Sequence, residues 1–295
     1  MKIVVKSRVP AEQCRLWSGQ HPERDHYSVV AHDDIDVYAP DGTYVIGLRR
    51  NAIDADVLEA AYPHYHWMRQ IKSSNRGNYS GLSRKSLYGS GKSSHSVDDD
   101  GNRVNISSAI AGYYDNSGHQ PYCRATHILK HHQERWDAVL PCVRQVGEVF
   151  KSCAPEKYAH QMGVVSRTHP AWVIEGTPFT TLTINNCVAA AYHQDAGDLK
   201  SGMGAMLVMR RGEYRGFELV APEYRFAVDM HHGDVIVFNP VIWHGNRPVF
   251  DAVGEQAKDW ERISVVHYYR QGITGCASPD EELSKAKQRG AIDAE

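Results

Sequence analysis

The C-terminal half of the sequence is divided into short apolar runs by turns that contain glycine. Six such runs follow one another, at 203–209, 216–220, 224–229, 235–238, 243–249 and 263–269. Runs of this length and spacing are typical of strands that close into a barrel or a jelly roll. We therefore predict an α+β protein that is mostly β, with a double-stranded β-helix (jelly-roll or cupin-like) core supported by N-terminal helices.

Three potential metal ligands fall within this predicted barrel. His193 and Asp195 are one residue apart, so on an extended segment both side chains project to the same side, and His244 begins a later run. Two imidazoles and one carboxylate leave the opposite face of an ion open, as in non-haem Fe(II) oxygenases. The spacing alone is weak evidence, because His32 and Asp34 repeat it. The alternative is a set of structural side chains without a metal.

An arginine opens the last of the predicted strands. Arg262 comes 18 residues after His244, at the start of the run RISVVHYYR. A planar guanidinium binds a carboxylate through two parallel hydrogen bonds, so Arg262 is a candidate to hold a dicarboxylate cosubstrate.

These segments resemble a known family. The stretches concerned are HQDAGD at 193–198, GDVIVFNPVIWHGN at 233–246 and RISVVHYYR at 262–270, with ISSAIAGYYD at 106–115 and PYCRATHI at 121–128. Together they are similar to the TET/JBP group of Fe(II)/2-oxoglutarate dioxygenases, which oxidise the 5-methyl group of pyrimidines in nucleic acid. The resemblance covers residues 106–270, and phage as well as eukaryotic members share it.

The resemblance implies a role for each matching residue. Fe(II) would be bound by His193, Asp195 and His244. Arg262 would hold the far carboxylate of 2-oxoglutarate, and O2 would take the remaining open position. Asp198 would face the edge of the substrate base, and Tyr268 would pack on that base after it leaves the helix.

Two positions depart from the cytosine-oxidising members of the family. Val188 stands where those members carry an arginine five residues before the first ligand, and Arg270 stands where they carry a histidine. The near carboxylate of 2-oxoglutarate would then be held by Asn185 or Asn186. Arg270 would take part in binding the base.

The residues predicted to contact the base favour 5-methylcytosine in DNA as the substrate. An ionised Asp198 offers only acceptors, which suit the N4 amino group of cytosine. Thymine in DNA is the alternative, since Arg270 could donate to its O4. Either base would have to be flipped out of a duplex.

Three other functions also remain open. They are a dioxygenase of small molecules or proteins, a cupin-like zinc hydrolase and a non-catalytic reader of modified bases.

The segment 69–96 is basic and rich in serine and glycine. Between Glu59 and Asp98 the sequence has no acidic residue. The positive charges there belong to Arg69, Lys72, Arg76, Arg84, Lys85 and Lys92. Spaced cations on such a backbone suit phosphates, and Tyr79 and Tyr88 could stack on bases. We predict contact with DNA through Arg84, Lys85 and Lys92. The alternative is a solvated loop without a partner.

Composition limits the class of protein. The chain has 295 residues and a formal net charge of -2, so attraction to nucleic acid must come from local clusters. Its six cysteines show no C-x-x-C spacing, which favours reduced thiols in a cytoplasm. No signal peptide or membrane span is evident. We expect a monomer with one domain, divided into 1–103, 104–175, 176–272 (the catalytic core) and 273–295 (a surface tail).

Local patterns predict the remaining elements. A hairpin is expected at 35–38 and 44–48, and strands at 104–114 and 162–175. Helices are expected at 54–61, where Pro63 would end the helix, and at 125–140 and 142–153, separated by Pro141. A short helix near 156–161 and a surface helix or frayed end at 279–295 complete the prediction.

Overall fold

The computed structural model describes residues 1–73, 79, 81, 83–85, 95–98, 100, 102–116, 120–252 and 260–288. Its strands are β1 (Lys2–Val4), β2 (Val29–Ala31), β3 (Ile35–Tyr38), β4 (Tyr44–Arg49), β5 (Lys72–Ser73), β6 (Ser83–Lys85), β7 (His95–Val97), β8 (Ile106–Tyr114), β9 (Arg124–Ala125), β10 (Thr181–Asn186), β11 (Gly204–Arg211), β12 (Tyr214–Arg215), β13 (Leu219–Ala221), β14 (Phe226–Val228), β15 (Val235–Phe238), β16 (Gly245–Asn246), β17 (Asp251–Ala252) and β18 (Glu261–Tyr268). Its helices are α1 (Ala11–Leu16), α2 (Ala55–Met68), α3 (His127–His131), α4 (Gln133–Cys153), α5 (Pro155–Val165) and α6 (Pro279–Gln288).

The described strands form two main sheets. The larger has the order β1-β3-β4-β15-β11-β18-β10-β8-β5, with β9 added beside β8, and the smaller has the order β16-β13-β14-β2. Side chains of both sheets meet in one apolar cluster, which contains Val208 and Ile236 from the larger sheet and Leu219 and Phe226 from the smaller. Two sheets packed over a shared core are the predicted jelly roll, and this prediction is confirmed.

The central strands of the larger sheet are covered on both faces. On β18, Ile263 and Val265 point towards the helices, whereas Ser264 and Val266 point between the two sheets. Because side chains alternate along a strand, Arg262 and Tyr268 share the inner face with Ser264. The face of β18 that points between the sheets therefore carries polar groups at both ends.

Helices α2 and α4 lie against the outer face of the larger sheet. On α4, Val139, Val143, Val146 and Phe150 recur at helical spacing and are fully buried. They belong to the same cluster as Leu58 and Tyr65 of α2 and the outward residues of β18. The predicted supporting role of these helices is confirmed.

Three of the predicted boundaries are wrong. Helix α2 continues through Pro63 to Met68, and α4 continues through Pro141. A proline removes one backbone hydrogen bond, but burial of residues on both sides, such as Ala61 and Tyr65 around Pro63, keeps the helix intact. The segment 162–175 is not a strand, because α5 extends to Val165 and is followed by turns.

The cysteines also differ from expectation. All six cysteines are described, and Cys123 forms a disulfide with Cys276 at a sequence separation of 153, while the other four are free. The prediction of reduced thiols is therefore wrong for this pair, which no local spacing could reveal. Of the two alternatives predicted for the tail, a surface helix or a frayed end, the structure shows a helix at 279–288, where Glu282 is 2% exposed and accepts hydrogen bonds from the amides of Cys123 and Ala277.

The hairpin predicted around Gly42 is confirmed as β3 and β4, and the strand predicted at 104–114 is confirmed as β8. Across the described residues, no helix combines the length and the apolar character needed to cross a bilayer.

Candidate active site

The two histidines of the predicted metal site are paired through their backbones. The amide of His193 donates to the carbonyl of His244 at 2.9 Å, and the amide of His244 donates to the carbonyl of His193 at 3.0 Å. In each ring Nδ1 lies within hydrogen-bond distance of a carbonyl two residues earlier, that of Ala191 at 2.8 Å and that of Ile242 at 3.0 Å. A carbonyl only accepts, so Nδ1 carries the proton and the lone pair of Nε2 is free to bind a metal.

Asp195 completes the set. Its Oδ1 lies 3.4 Å from Nε2 of His193, and its Oδ2 lies 3.4 Å from Nε2 of His244. Burial favours the neutral form of Asp195, but the adjacent imidazoles outweigh burial and hold the pKa of the carboxyl well below its usual range. The three ligand atoms lie within 4.8 Å of one another. Two neutral imidazoles and a carboxylate at this separation fit a divalent metal with open positions.

A cavity of about 270 Å³ opens beside these ligands, between the two sheets. Its walls include Thr183 and Asn185 on β10 and Ser264, Val266 and Tyr268 on β18. The inner face of β18 from Arg262 to Tyr268 is roughly 20 Å long at the usual strand rise. The cavity follows this face from Ser264 to Tyr268, and Arg262 comes two residues before Ser264 on the same face.

Arg262 is not among the residues that line the cavity, but it lies on the same face of β18 as Ser264, which does line it. It is 1% exposed, and its guanidinium carbon lies 5.0 Å from the ring centroid of Phe217. Burial lowers the pKa of Arg262, although that effect is opposed by neighbours that include Tyr214. Among the described residues, its Nη2 atom has no hydrogen-bond partner. A buried cationic donor without a partner fits a bound carboxylate, as 2-oxoglutarate would supply.

The two asparagines considered for 2-oxoglutarate point in different directions. Asn185 is 2% exposed, lines the cavity and accepts a hydrogen bond from Ser108 Oγ at 2.7 Å. Asn186 is outside the cavity lining and accepts a hydrogen bond from Arg69 Nη1 at 2.6 Å. Adjacent residues of a strand face opposite sides, so Asn185 is the candidate that remains for the near carboxylate.

The other end of the cavity carries Asp198, Tyr268 and Arg270, all three predicted to contact the base. Asp198 and Arg270 pair as an isolated backbone bridge. The Tyr268 hydroxyl lies 3.1 Å from Oγ1 of Thr183. Burial raises the pKa of the Asp198 carboxyl well above its usual range, to which Asp195 adds while Arg270 opposes the shift.

Only part of the basic segment 69–96 lies within the residues that the structure describes. Arg84 and Lys85 lie on β6, which pairs with β7, but their side chains are outside the described residues, as is all of Lys92. Tyr88 is also outside them. Arg69 is 15% exposed and forms an ion pair with Glu261 at 2.5 Å, so its charge is already engaged inside the protein.

Tyr79, which the sequence suggested could stack on a base, meets the ring of His193 edge-on, with 4.8 Å between centroids. Several other residues of the site were not singled out from the sequence. Phe238 contacts His244 edge-on at 5.1 Å. Asn246 lines the cavity, and its position two residues after His244 on an extended segment was the available signal. Asp115 binds Arg270, and no sequence pattern connects the two.

A jelly roll that brings two imidazoles and one carboxylate to the wall of a cavity is the arrangement typical of non-haem Fe(II) oxygenases. The model of the Tet_JBP family, the oxygenase domain of the 2OGFeDO superfamily, matches residues 109–271. The chain belongs to this TET/JBP family, whose cofactors are Fe(II) and 2-oxoglutarate, as the sequence predicted.

Individual relatives agree with this assignment. The chain is 36% identical over 187 residues to "Thymine dioxygenase JBP1" of Leishmania braziliensis, covering 61% of this chain and 22% of that protein. It is 32% identical over 191 residues to the protein of the same name from Trypanosoma brucei brucei, covering 63% and 22%. The chain thus spans about a fifth of the length of these curated relatives.

A solved structure has the same fold. "NgTET1 in complex with 5mC DNA" matches with a TM-score of 0.60 at 12% identity, and the match covers 90% of this chain and 89% of that one. At this identity the likeness concerns the fold alone.

Proposed function

We propose that this chain hydroxylates the 5-methyl group of a pyrimidine in DNA, and that thymine is its first substrate. The observation that carries the proposal is the cavity next to His193, Asp195 and His244, whose far end presents Asp198, Tyr268 and Arg270. Bound Fe(II) with 2-oxoglutarate and O2 supplies the oxidation of a methyl C–H bond to C–OH, with succinate and CO2 as the other products.

The protein's own residues divide the cavity into two parts. Arg262 binds the far carboxylate of 2-oxoglutarate through the Nη2 atom that has no protein partner among the described residues, and Asn185 donates to the near carboxylate. This places the cosubstrate on the Arg262 side. The base enters on the side of Tyr268, where the phenol ring packs on its face.

A base inside a duplex cannot reach a cavity enclosed between two sheets. The nucleotide is therefore flipped out or bound in single-stranded DNA, and the energy of unstacking favours mispaired or unpaired sites. Basic residues of the segment 69–96, Arg84, Lys85 and Lys92 among them, hold the flanking phosphates in this proposal.

The preference for thymine rests on the relatives at 32–36% identity, which are named thymine dioxygenases. 5-Methylcytosine is the second candidate, because Asp198 lies in the cavity wall and an ionised carboxyl accepts a hydrogen bond from N4. A neutral carboxyl has one donor as well, which suits O4 of thymine. Burial favours that neutral form, so Asp198 is compatible with both bases.

The test is one DNA that contains both thymine and 5-methylcytosine. After incubation with Fe(II), 2-oxoglutarate and O2, mass spectrometry of the nucleosides identifies the oxidised base. We expect 5-hydroxymethyluridine in excess. Formation of 5-hydroxymethylcytosine alone would overturn the thymine proposal and support the second candidate. Asp198→Asn should reduce base oxidation more than it reduces uncoupled succinate formation, since its carboxyl contacts the base and not the cosubstrate.

A further inference from the structure

The guanidinium of Arg270 is held by a carboxylate from a distant part of the chain. Asp115 directly follows β8, and its Oδ1 accepts from Arg270 Nε at 2.9 Å and lies 2.7 Å from Arg270 Nη2. The side chains are 15% and 25% exposed, so this ion pair is largely shielded from water. A shielded, hydrogen-bonded ion pair fixes the orientation of an arginine far better than a pair at the surface does.

Gly272 leaves the space that this carboxylate occupies. A Cβ atom at Gly272 would lie 2.2 Å from Oδ2 of Asp115 and 2.8 Å from its Cγ. The glycine is therefore required by the close approach of Asp115.

The backbone around Arg270 is also fixed. Its amide donates to Thr180 Oγ1 at 3.0 Å, and the amide of Gln271 donates to the carbonyl of Gly197 at 3.0 Å. The isolated bridge with Asp198 adds a third restraint. Main chain and guanidinium are thus both restrained, and Arg270 still lines the cavity.

We infer that Asp115 is a positioning residue that sets base preference through Arg270, an inference that rests on the proposed function. A guanidinium has five N–H donors, of which Asp115 engages two and the Tyr268 hydroxyl a further one. The remaining donors belong to a guanidinium that these contacts hold in one orientation, on a residue that lines the cavity. A carbonyl oxygen such as O4 of thymine accepts from them, whereas the N4 amino group of cytosine brings a second donor to the same place.

An unrestrained arginine would discriminate less, because it could turn away from the amino group of cytosine at little cost. Removal of Asp115 should therefore reduce selectivity between the bases and leave the metal and 2-oxoglutarate end of the cavity unchanged. The preference for thymine over 5-methylcytosine, measured as the ratio of the two oxidised products, should fall on the order of tenfold. This is the effect expected of one well-oriented hydrogen bond to a base.

The experiment compares Asp115→Asn and Gly272→Ala with the parent protein. Gly272→Ala displaces the carboxylate without removing it, so both variants should shift the ratio in the same direction. The matched control is Asp36→Asn, which breaks an ion pair with Arg49 of similar exposure on β3 and β4, away from the cavity. Two readouts are used: the product ratio on the mixed DNA, and the ratio of anaerobic dissociation constants for oligonucleotides that carry one unpaired thymine or 5-methylcytosine.

We expect both ratios to fall about tenfold in the two variants and to stay unchanged in the control, with uncoupled succinate formation within about twofold of the parent. Unchanged ratios in folded Asp115→Asn and Gly272→Ala would overturn the inference and leave the proposed function intact. If the parent itself oxidises neither base and binds both oligonucleotides equally, the proposed function is wrong and this inference falls with it.

Discussion

His193 and His244 exchange both of their backbone hydrogen bonds, at 2.9 and 3.0 Å, although they are 51 positions apart in the sequence. In an antiparallel pair, directly opposed residues project their side chains to the same face. The two imidazoles therefore face one another, with 4.3 Å between ring centroids. The backbone pairing itself brings both rings to one place, as two ligands of a single ion require.

The first prediction concerns the metal ligands. His193→Ala, Asp195→Ala and His244→Ala should each abolish Fe(II)-dependent succinate formation, because two ligands cannot hold the ion in the required geometry. Circular dichroism should show that the variants remain folded. His32→Ala is the matched control, since His32 belongs to the other H-x-D sequence and its side chain is 63% exposed. Full turnover in all three ligand variants would refute the iron site.

The second prediction concerns Arg262. Replacement by lysine keeps the charge but removes the planar, two-pronged donor, so KM for 2-oxoglutarate should rise roughly tenfold or more, or about 1.5–3 kcal/mol. Steady-state assays at varied 2-oxoglutarate give this value. Arg211→Lys, which alters an exposed pair with Glu59, should leave KM unchanged. An unaltered KM in Arg262→Lys would point to a different cation, and Arg270 would be examined first.

The third prediction concerns the basic segment. Neutralising Arg84, Lys85 and Lys92 together should weaken DNA binding and reduce the slope of log K against log salt, by about 0.9 for each phosphate that the variant no longer binds. Fluorescence anisotropy over a range of salt concentrations measures both effects. The control neutralises three charges on the outer helices, Lys130, Lys151 and Lys157. If the two triple variants share the slope of the parent, the segment does not bind phosphates.

The fourth prediction is a pH dependence of stability that His267 causes. Burial lowers the pKa of His267 from 6.5 to about 3, against the opposing effect of the carbonyls of Ala205 and Val265. Between pH 6.5 and about pH 3, His267 is therefore protonated in the unfolded chain but neutral in the folded chain. The contribution of His267 is constant above pH 6.5, and stability falls by about 1.4 kcal/mol per pH unit below it.

Urea unfolding at several pH values from 7 to 4 tests this effect. His267→Leu should show a smaller loss of stability on acidification than the parent, while His131→Leu, a change at an exposed histidine, should follow the parent. Parallel curves for parent and His267→Leu would show that other groups cause the acid sensitivity.

The barrel and the grouping of His193, Asp195 and His244 could be predicted because their signals are local. Strand alternation and turn residues lie within a few positions, and His193 with Asp195 forms a motif that a family resemblance strengthens. The role of Asp115 could not be found in this way, since its partner Arg270 is 155 residues distant and no local pattern connects the two residues. The helix ends predicted at Pro63 and Pro141 were wrong for the opposite reason. There the local rule that proline ends a helix was overridden by tertiary packing, which the sequence does not display.

The disulfide between Cys123 and Cys276 turns the catalytic part of the chain into a covalent ring. The ring contains every strand from β9 to β18, with all three metal ligands, Arg262 and Arg270. A single backbone cut inside it leaves the fragments joined until the sulfur bridge is reduced. Thiol reductants, added to keep iron ferrous, would open the same ring. Activity in ascorbate compared with activity in dithiothreitol therefore separates the oxidation state of the iron from the integrity of the ring.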